Sequence, residues 1–298
     1  MIKKLTPLIF MLMGTISSLS FAHNDQRQFE EIEIHSLDDL MSLFKKHHYT
    51  SKDWQNGNRE VPRLTFSGVS ENWKTTSNQI TVKQKKQVFF RLMAPLVLIS
   101  NENITAEREV IKSAPLSSKI LLAIAKKYRL INTTTASLTS DQRQQLLQQV
   151  DIMPPSLALA QAAEESGWAN SRFTEEGNAF FGQWDFSGKG MTPKQQRKEL
   201  GNYGLARFDS PLASVEGYMF NINITGAYKK LRVLRAKLRQ ENKAITGLEL
   251  AGTLDKYSER GQAYIDGLRS MIRYNKLEDV DEAFLSDTIL IKLVSPKS

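Results

Sequence analysis

Apolar positions along most of the chain recur at helical rather than strand spacing. A helical pattern runs through "SLDDLMSLFKKHH", and a longer one through "KKQVFFRLMAPLVLISNENITAEREVI". The second contains an apolar run from Val88 to Ile99. Arg91 and Pro95 interrupt it and it is too short for a bilayer, so it predicts a buried core helix kinked at the proline. "DQRQQLLQQV" predicts a short helix for which Ser140 and Asp141 are the candidate caps, ended by the Pro154-Pro155 pair. From Pro155 the segment "SLALAQAAEESGW" is small or apolar on nearly every side, the pattern of a helix surrounded by protein, and Gly167 stops it. Phe173 to Asp209 is rich in glycine and predicts loops with short strands. Helices follow in "SPLASVEGYMFNI", in the amphipathic "AYKKLRVLRAKLRQ" and in "GQAYIDGLRSMIRYNKL". The amphipathic segment places Leu231, Leu234 and Leu238 on one face and Lys229, Lys230, Arg232, Arg235 and Arg239 on a face read as solvated. The acidic and apolar tail after Glu278 receives no assignment.

These patterns predict a mainly α fold of the α+β type, in which helices are interrupted by one small irregular or β lobe. The Thr- and Ser-rich stretch from Asn132 to Ser140 is the best boundary. Residues 1–22 read as an export signal: Lys3 and Lys4, an apolar centre in "PLIFMLMG" and small residues ending at Ala22. Residues 23–140 then form a helical N-terminal region, 141–280 a catalytic domain and 281–298 a tail. The expected location is the periplasm; an uncleaved signal would instead hold the chain at the inner membrane.

Composition removes several chemistries. The chain has 298 residues and no cysteine, so thiolate metal sites and disulfides are excluded. All four histidines (His23, His35, His47 and His48) precede Tyr49, which leaves the rest of the chain without a Ser-His-Asp triad or a histidine zinc site. No metal and no cofactor is expected. Of 40 basic and 32 acidic residues the signal holds two lysines and no acid, leaving 38 against 32, a net charge of +6. That excess suits an acidic polymer or only solubility. Nucleic acid is not an expected partner of an exported chain without a recognised binding motif.

Candidate chemistry centres on Glu164 and Glu165. At about 100° per residue, Glu164 projects over Leu157, Ala160 and Gln161, and Glu165 over Ala158, Gln161 and Ala162. Adjacent helical residues do not serve one site, and Glu165 has the smaller neighbours. A carboxylic acid in apolar surroundings keeps its proton near neutral pH, as a general acid for glycosidic cleavage must.

"LALAQAAEESGW" resembles the acid-bearing helix of the bacterial peptidoglycan glucosaminidases of the flagellar-rod type. "GNAFFGQW", "ARFDSPLASVEGYMFNI" and "YSERGQAY" follow in the family's order, and the likeness is nearest to its Bax-type branch, from about Lys85 to Leu277. The resemblance implies a lysozyme-like fold, a peptidoglycan glycan strand as partner, a monomer, and cleavage of the β-1,4 bond after N-acetylglucosamine. It implies that Glu165 is the catalytic acid and that Tyr257 stands near the sugar. Glu199 is the acid between Asp185 and Asp209 and so the candidate second carboxylate. Trp168, Asn178, Phe181, Gln183, Trp184 and Tyr264 are the candidate substrate-binding residues. Without a second carboxylate, the substrate's own acetamido group could be the nucleophile. Ala169 stands where the family has glycine after the tryptophan, the spacing from Tyr257 to Tyr264 is one residue longer than in the flagellar type, and the β lobe lacks the cysteines some Bax-type chains carry. A muramidase, a lytic transglycosylase or a non-catalytic glycan-binding or scaffold protein are the rival readings. A regulatory partner is conceivable on this reading, its identity open.

Overall fold

A computed structural model describes residues 29–132, 135–194 and 203–296. In chain order they form β1 (Phe29–Glu33), α1 (Leu37–Lys46), α2 (Ser51–Gln55), β2 (Glu60–Val61), β3 (Leu64–Phe66), α3 (Trp73–Gln79), α4 (Val82–Ser113) and α5 (Lys119–Lys127). Next come α6 (Ser140–Gln149), α7 (Pro155–Ser166), α8 (Arg172–Gly177), β4 (Trp184–Asp185), β5 (Gly204–Leu205) and α9 (Pro211–Ile224). The last are α10 (Lys229–Gln240), α11 (Gly247–Ala251), α12 (Gln262–Tyr274), β6 (Phe284–Leu285) and β7 (Leu290–Val294). The fold is mainly helical with small sheets. Among the described residues no helix is long and apolar enough to cross a membrane. The run from Val88 to Ile99 lies inside the single helix α4, with Pro95 in its interior.

The chain divides into two compact units: residues 1–95, 162–214 and 285–298 form the first, and 96–161 with 215–284 the second. In the first, the unassigned tail supplies the central strand of a sheet ordered β1-β7-β3, both neighbours running parallel to β7. Phe29 pairs with Leu290 and Leu64 with Ile291, and the alternation of "LIKLV" sends Ile291 and Leu293 into the core. The β lobe, β4 antiparallel to β5, holds without a disulfide through backbone proximity. A Cβ on Gly204 would lie 2.7 Å from the carbonyl carbon of Gly190, so only paired glycines allow this approach. Met191 and Leu205 exchange two backbone hydrogen bonds, of 2.7 and 2.9 Å, and the Trp184 ring stacks on Tyr203 at 4.7 Å.

The second unit is built around a buried arginine. Arg235 was expected on a solvated face, yet it is 0 % exposed. Its guanidinium donates to the carbonyls of Gln149, Asp151 and Ile152 and to Asn223 Oδ1, at 2.7–3.0 Å. The turn of chain at 149–152 has no helix to receive its carbonyls, and the arginine's fixed fork of donors satisfies them. Leu231, Arg235 and Leu238 therefore form the buried face of α10. The cap of α6 also differs from expectation: Thr139 and Gln142 form a reciprocal capping box, one position before Ser140.

Candidate active site

Every residue from Met153 to Ala163 is buried, so α7 is anchored along most of its length before it reaches the two glutamates. Within the second unit its start is fixed by hydrogen bonds. Asn101 clamps Met153 from both sides, at 2.7 and 3.0 Å. Asp281 accepts from the Ser156 N–H at 2.8 Å, from its hydroxyl at 2.7 Å and from the Gly247 N–H at 3.2 Å. A carboxylate at a helix start also complements the macrodipole. Burial pushes the Asp281 carboxyl up, and these bonds oppose that. Gly247 is needed because any Cβ there would lie 2.1 Å from Ser156 Oγ. None of this was legible beforehand, since Asp281 lies in the unassigned tail.

The far end of α7 belongs to the first unit. Glu164 is exposed and Glu165 half-buried. A Cβ placed on Gly182 would lie 3.6 Å from Glu165 Oε2, so this glycine packs beside the carboxylate. Gly182 itself has φ 61°, a conformation glycine adopts freely.

Directly after α7, three successive residues adopt left-handed backbone: Gly167 (φ 57°), Trp168 (φ 62°) and Ala169 (φ 63°). Left-handed geometry costs a non-glycine residue roughly 1–2 kcal/mol. The turn is held by contacts on Trp168. Its carbonyl accepts from the Trp73 indole N–H at 3.1 Å, and its ring meets the edges of Phe89 and Phe90 with centroids 5.5 and 5.2 Å away. Ser166 Oγ receives the Ala169 N–H at 3.0 Å, and Asn170 Oδ1 accepts from Ser77 Oγ at 2.8 Å.

The other expected site residues fall into several settings. Asn178 ends α8 at φ 51°, its amide donating to the Phe208 carbonyl at 3.1 Å, a capping role. Phe181 is 2 % exposed and packs into the interior. Gln183 is buried, and neither atom of its side-chain amide has a hydrogen-bond partner among the described residues. Trp184 is half-buried with one face on Tyr203, a neighbour the sequence did not single out. Glu199 lies outside the described residues.

In the second unit Tyr257 is half-buried and stacks on Tyr264, centroids 5.5 Å apart and planes at 7°. Tyr264 is itself 1 % exposed, and its hydroxyl accepts from Gln161 Nε2 at 3.2 Å. Tyr218 donates to Gln161 Oε1 at 2.6 Å, so the buried amide of Gln161 joins two tyrosines. The extra residue between Tyr257 and Tyr264 therefore does not separate their rings. Among the described residues no group of three or more acidic or histidine side chains is placed to hold a metal ion.

Residues 140–277 match the family described as mannosyl-glycoprotein endo-beta-N-acetylglucosaminidase, the glucosaminidase family. The chain is similar to protein Bax of Escherichia coli (strain K12), with 31% identity over 202 residues, which cover 64% of this chain and 70% of the relative. No solved structure matches it.

Proposed function

Because this chain belongs to the Bax-type branch of the glucosaminidase family, we propose that it hydrolyses the β-1,4 bond after N-acetylglucosamine in peptidoglycan, with Glu165 as the proton donor. The observation that carries the reading is the contrast between neighbours on one helix. Glu164 is exposed, whereas Glu165 is half-buried with Gly182 packed beside its carboxylate. A proton donor needs partial removal from water, which Glu165 has and Glu164 lacks.

The step balances as follows. Protonated Glu165 gives its proton to the glycosidic oxygen as the bond to the anomeric carbon breaks, and the leaving sugar departs with a free hydroxyl. On the route without a second carboxylate, the acetamido oxygen of the same N-acetylglucosamine closes on the anomeric carbon and shares the developing positive charge. Water then attacks that carbon while the Glu165 carboxylate recovers a proton. Trp168 and Trp184 are assigned to sugar rings. The amide of Gln183 matches an acetamido group in donors and acceptors, which would account for a buried amide left unpaired. The export signal read in the sequence of residues 1–22 supports a periplasmic location for this activity.

The test is digestion of purified sacculi, borohydride reduction and identification of the reduced sugar. Reduced N-acetylglucosamine supports the assignment. Reduced muramic acid makes the protein a muramidase, anhydromuramic ends make it a lytic transglycosylase, and no soluble product makes it a glycan-binding protein. Glu165→Gln should lower turnover by about 10²–10⁴-fold, the share a general acid contributes, whereas Glu164→Gln should stay within a few-fold of wild type. The reverse result removes Glu165 from the role.

A further inference from the structure

The first unit contains a cavity of about 420 Å³ between the sheet β1-β7-β3, α3 and the first half of α4. Its walls include Leu37, Leu40, Val88, Leu92, Met93 and Leu293, and its rim carries hydroxyls such as Ser67, Ser70 and Thr76. Among the described residues the lining contains no lysine, arginine, aspartate or glutamate, and its one titratable side chain is His35. His35 lies 3.6 Å from Glu33 and is largely solvated, so it presents no buried charge to an occupant.

Size and lining together specify a ligand chemistry. An apolar cavity of about 150 Å³ takes up one benzene, so scaling by volume gives room for on the order of 17 non-hydrogen atoms. Apolar walls with hydrogen-bonding groups only at the rim fit a molecule whose tail is buried and whose head stays in reach of water. With no counter-ion in the lining among the described residues, an uncharged head is preferred over a carboxylate or an ammonium. We propose that this cavity is a binding site for a neutral single-chain amphiphile, a lipid of the monoacylglycerol type with a chain of about twelve carbons.

The site adjoins the left-handed turn without belonging to the glycan site. Ala169 and Phe180 line it, and so does Phe89, whose ring also touches Trp168 and lies 6.5 Å from Phe180. Trp73, which holds the Trp168 carbonyl, forms part of the same wall. An occupant therefore packs directly on the groups that fix residues 167–169, and its binding is independent of any proton transfer by Glu165.

The experiment is calorimetric titration of the purified protein with 1-monolaurin below its aggregation threshold. Monoglycerides of eight, ten and eighteen carbons, dodecanoate and dodecyltrimethylammonium serve as comparisons. Saturable one-to-one binding is expected, strengthening about fourfold per added methylene up to the twelve-carbon chain and levelling off before eighteen. Both ionic amphiphiles should bind more weakly than 1-monolaurin. Val69→Trp and Leu92→Trp replace half-buried lining residues with a ring that occupies the space. Whichever of them keeps the wild-type unfolding midpoint should bind at least tenfold more weakly. No saturable binding by the wild type, no dependence on chain length, or unchanged affinity in a folded filled variant overturns the proposal. Tighter binding of dodecanoate than of 1-monolaurin overturns the uncharged head. Should neither filled variant fold, the chain-length series decides.

Discussion

The two flanks of the helix that carries Glu165 are built on opposite principles. Residues 149–156, in the second unit, are rich in hydrogen bonds: carbonyls 149, 151 and 152 accept from Arg235, Met153 is clamped by Asn101, and Ser156 is capped by Asp281. Residues 167–169, in the first unit, hold three left-handed residues in a row, two of them bearing side chains. The first flank stores satisfied polar contacts and the second stores backbone strain. Strain of this kind persists only where the surroundings over-determine it, and it collects at functional sites. The glutamate proposed for catalysis stands two residues before the strained end.

The largest effect should come from breaking the satisfied flank. Arg235 is fully buried, and burial lowers its guanidinium to about 10, so it remains charged at neutral pH. Arg235→Met keeps much of the volume but strips donors from three carbonyls and Asn223 Oδ1, and should cost about 3–5 kcal/mol in urea unfolding. A cost below about 1 kcal/mol would mean that the cage adds little. Asp151 comes next. Burial raises its carboxyl, but its paired bonds from Arg239 (2.9 and 3.1 Å) and the nearby charges of Arg235 and Arg108 outweigh burial and hold it below the usual range. A folded-state value below the unfolded 3.8 adds stability that is present above 3.8 and lost as pH falls through the folded value. Asp151→Asn should cost about 1.5–3 kcal/mol at neutral pH. It should also flatten the decline of stability with acid below about pH 4, measured as urea midpoints across pH.

That contrast also sets how far the sequence was legible. The helix 155–166 and its stop at Gly167 followed from small residues, a Pro-Ser start and a glycine. Glu165 was separated from Glu164 on helical geometry, and in the structure Glu164 is exposed and Glu165 half-buried. Arg235 was misread because an arginine three or four positions from leucines looks like the wet side of an amphipathic helix. The carbonyls that receive it come from a turn more than eighty residues earlier, and no local pattern announces such a partner. The same holds for Asp281, which joins α7 and α11 across 125 and 34 residues. Strand β7 was hidden for a different reason: five residues of "LIKLV" are too short a period to distinguish from a tail without their parallel neighbours. Ala169 was recognised as a departure from the family's glycine, and its φ of 63° supplies the physical meaning of that glycine.

Smaller effects should follow at the strained flank. Gly167 has φ 57° and open space where a Cβ would stand, so Gly167→Ala tests backbone strain without a steric clash. It should cost roughly 1–2 kcal/mol in thermal or urea unfolding. A neutral result would show that the turn relaxes rather than holds strain, and the comparison between the flanks would collapse.

The smallest and sharpest test is Ala169→Gly. Relief of left-handed strain at φ 63° is worth roughly 1–2 kcal/mol, and the greater freedom of glycine in the unfolded chain offsets about 0.5–1 kcal/mol of it. Loss of a buried methyl, on a residue 9 % exposed, removes up to about 0.8 kcal/mol more. The terms nearly cancel, so the unfolding free energy should change by less than about 1 kcal/mol, in contrast to the loss at Gly167. The proposed wall-digesting activity should be retained, because the backbone conformation that follows Glu165 is the one glycine adopts freely. Paired measurement of the two variants isolates the backbone: a left-handed turn requires that adding a methyl at 167 hurts while removing one at 169 does not. Equal losses at both positions would assign the turn's stability to side-chain packing around Trp168, and the strain would then be an incidental feature of the helix end.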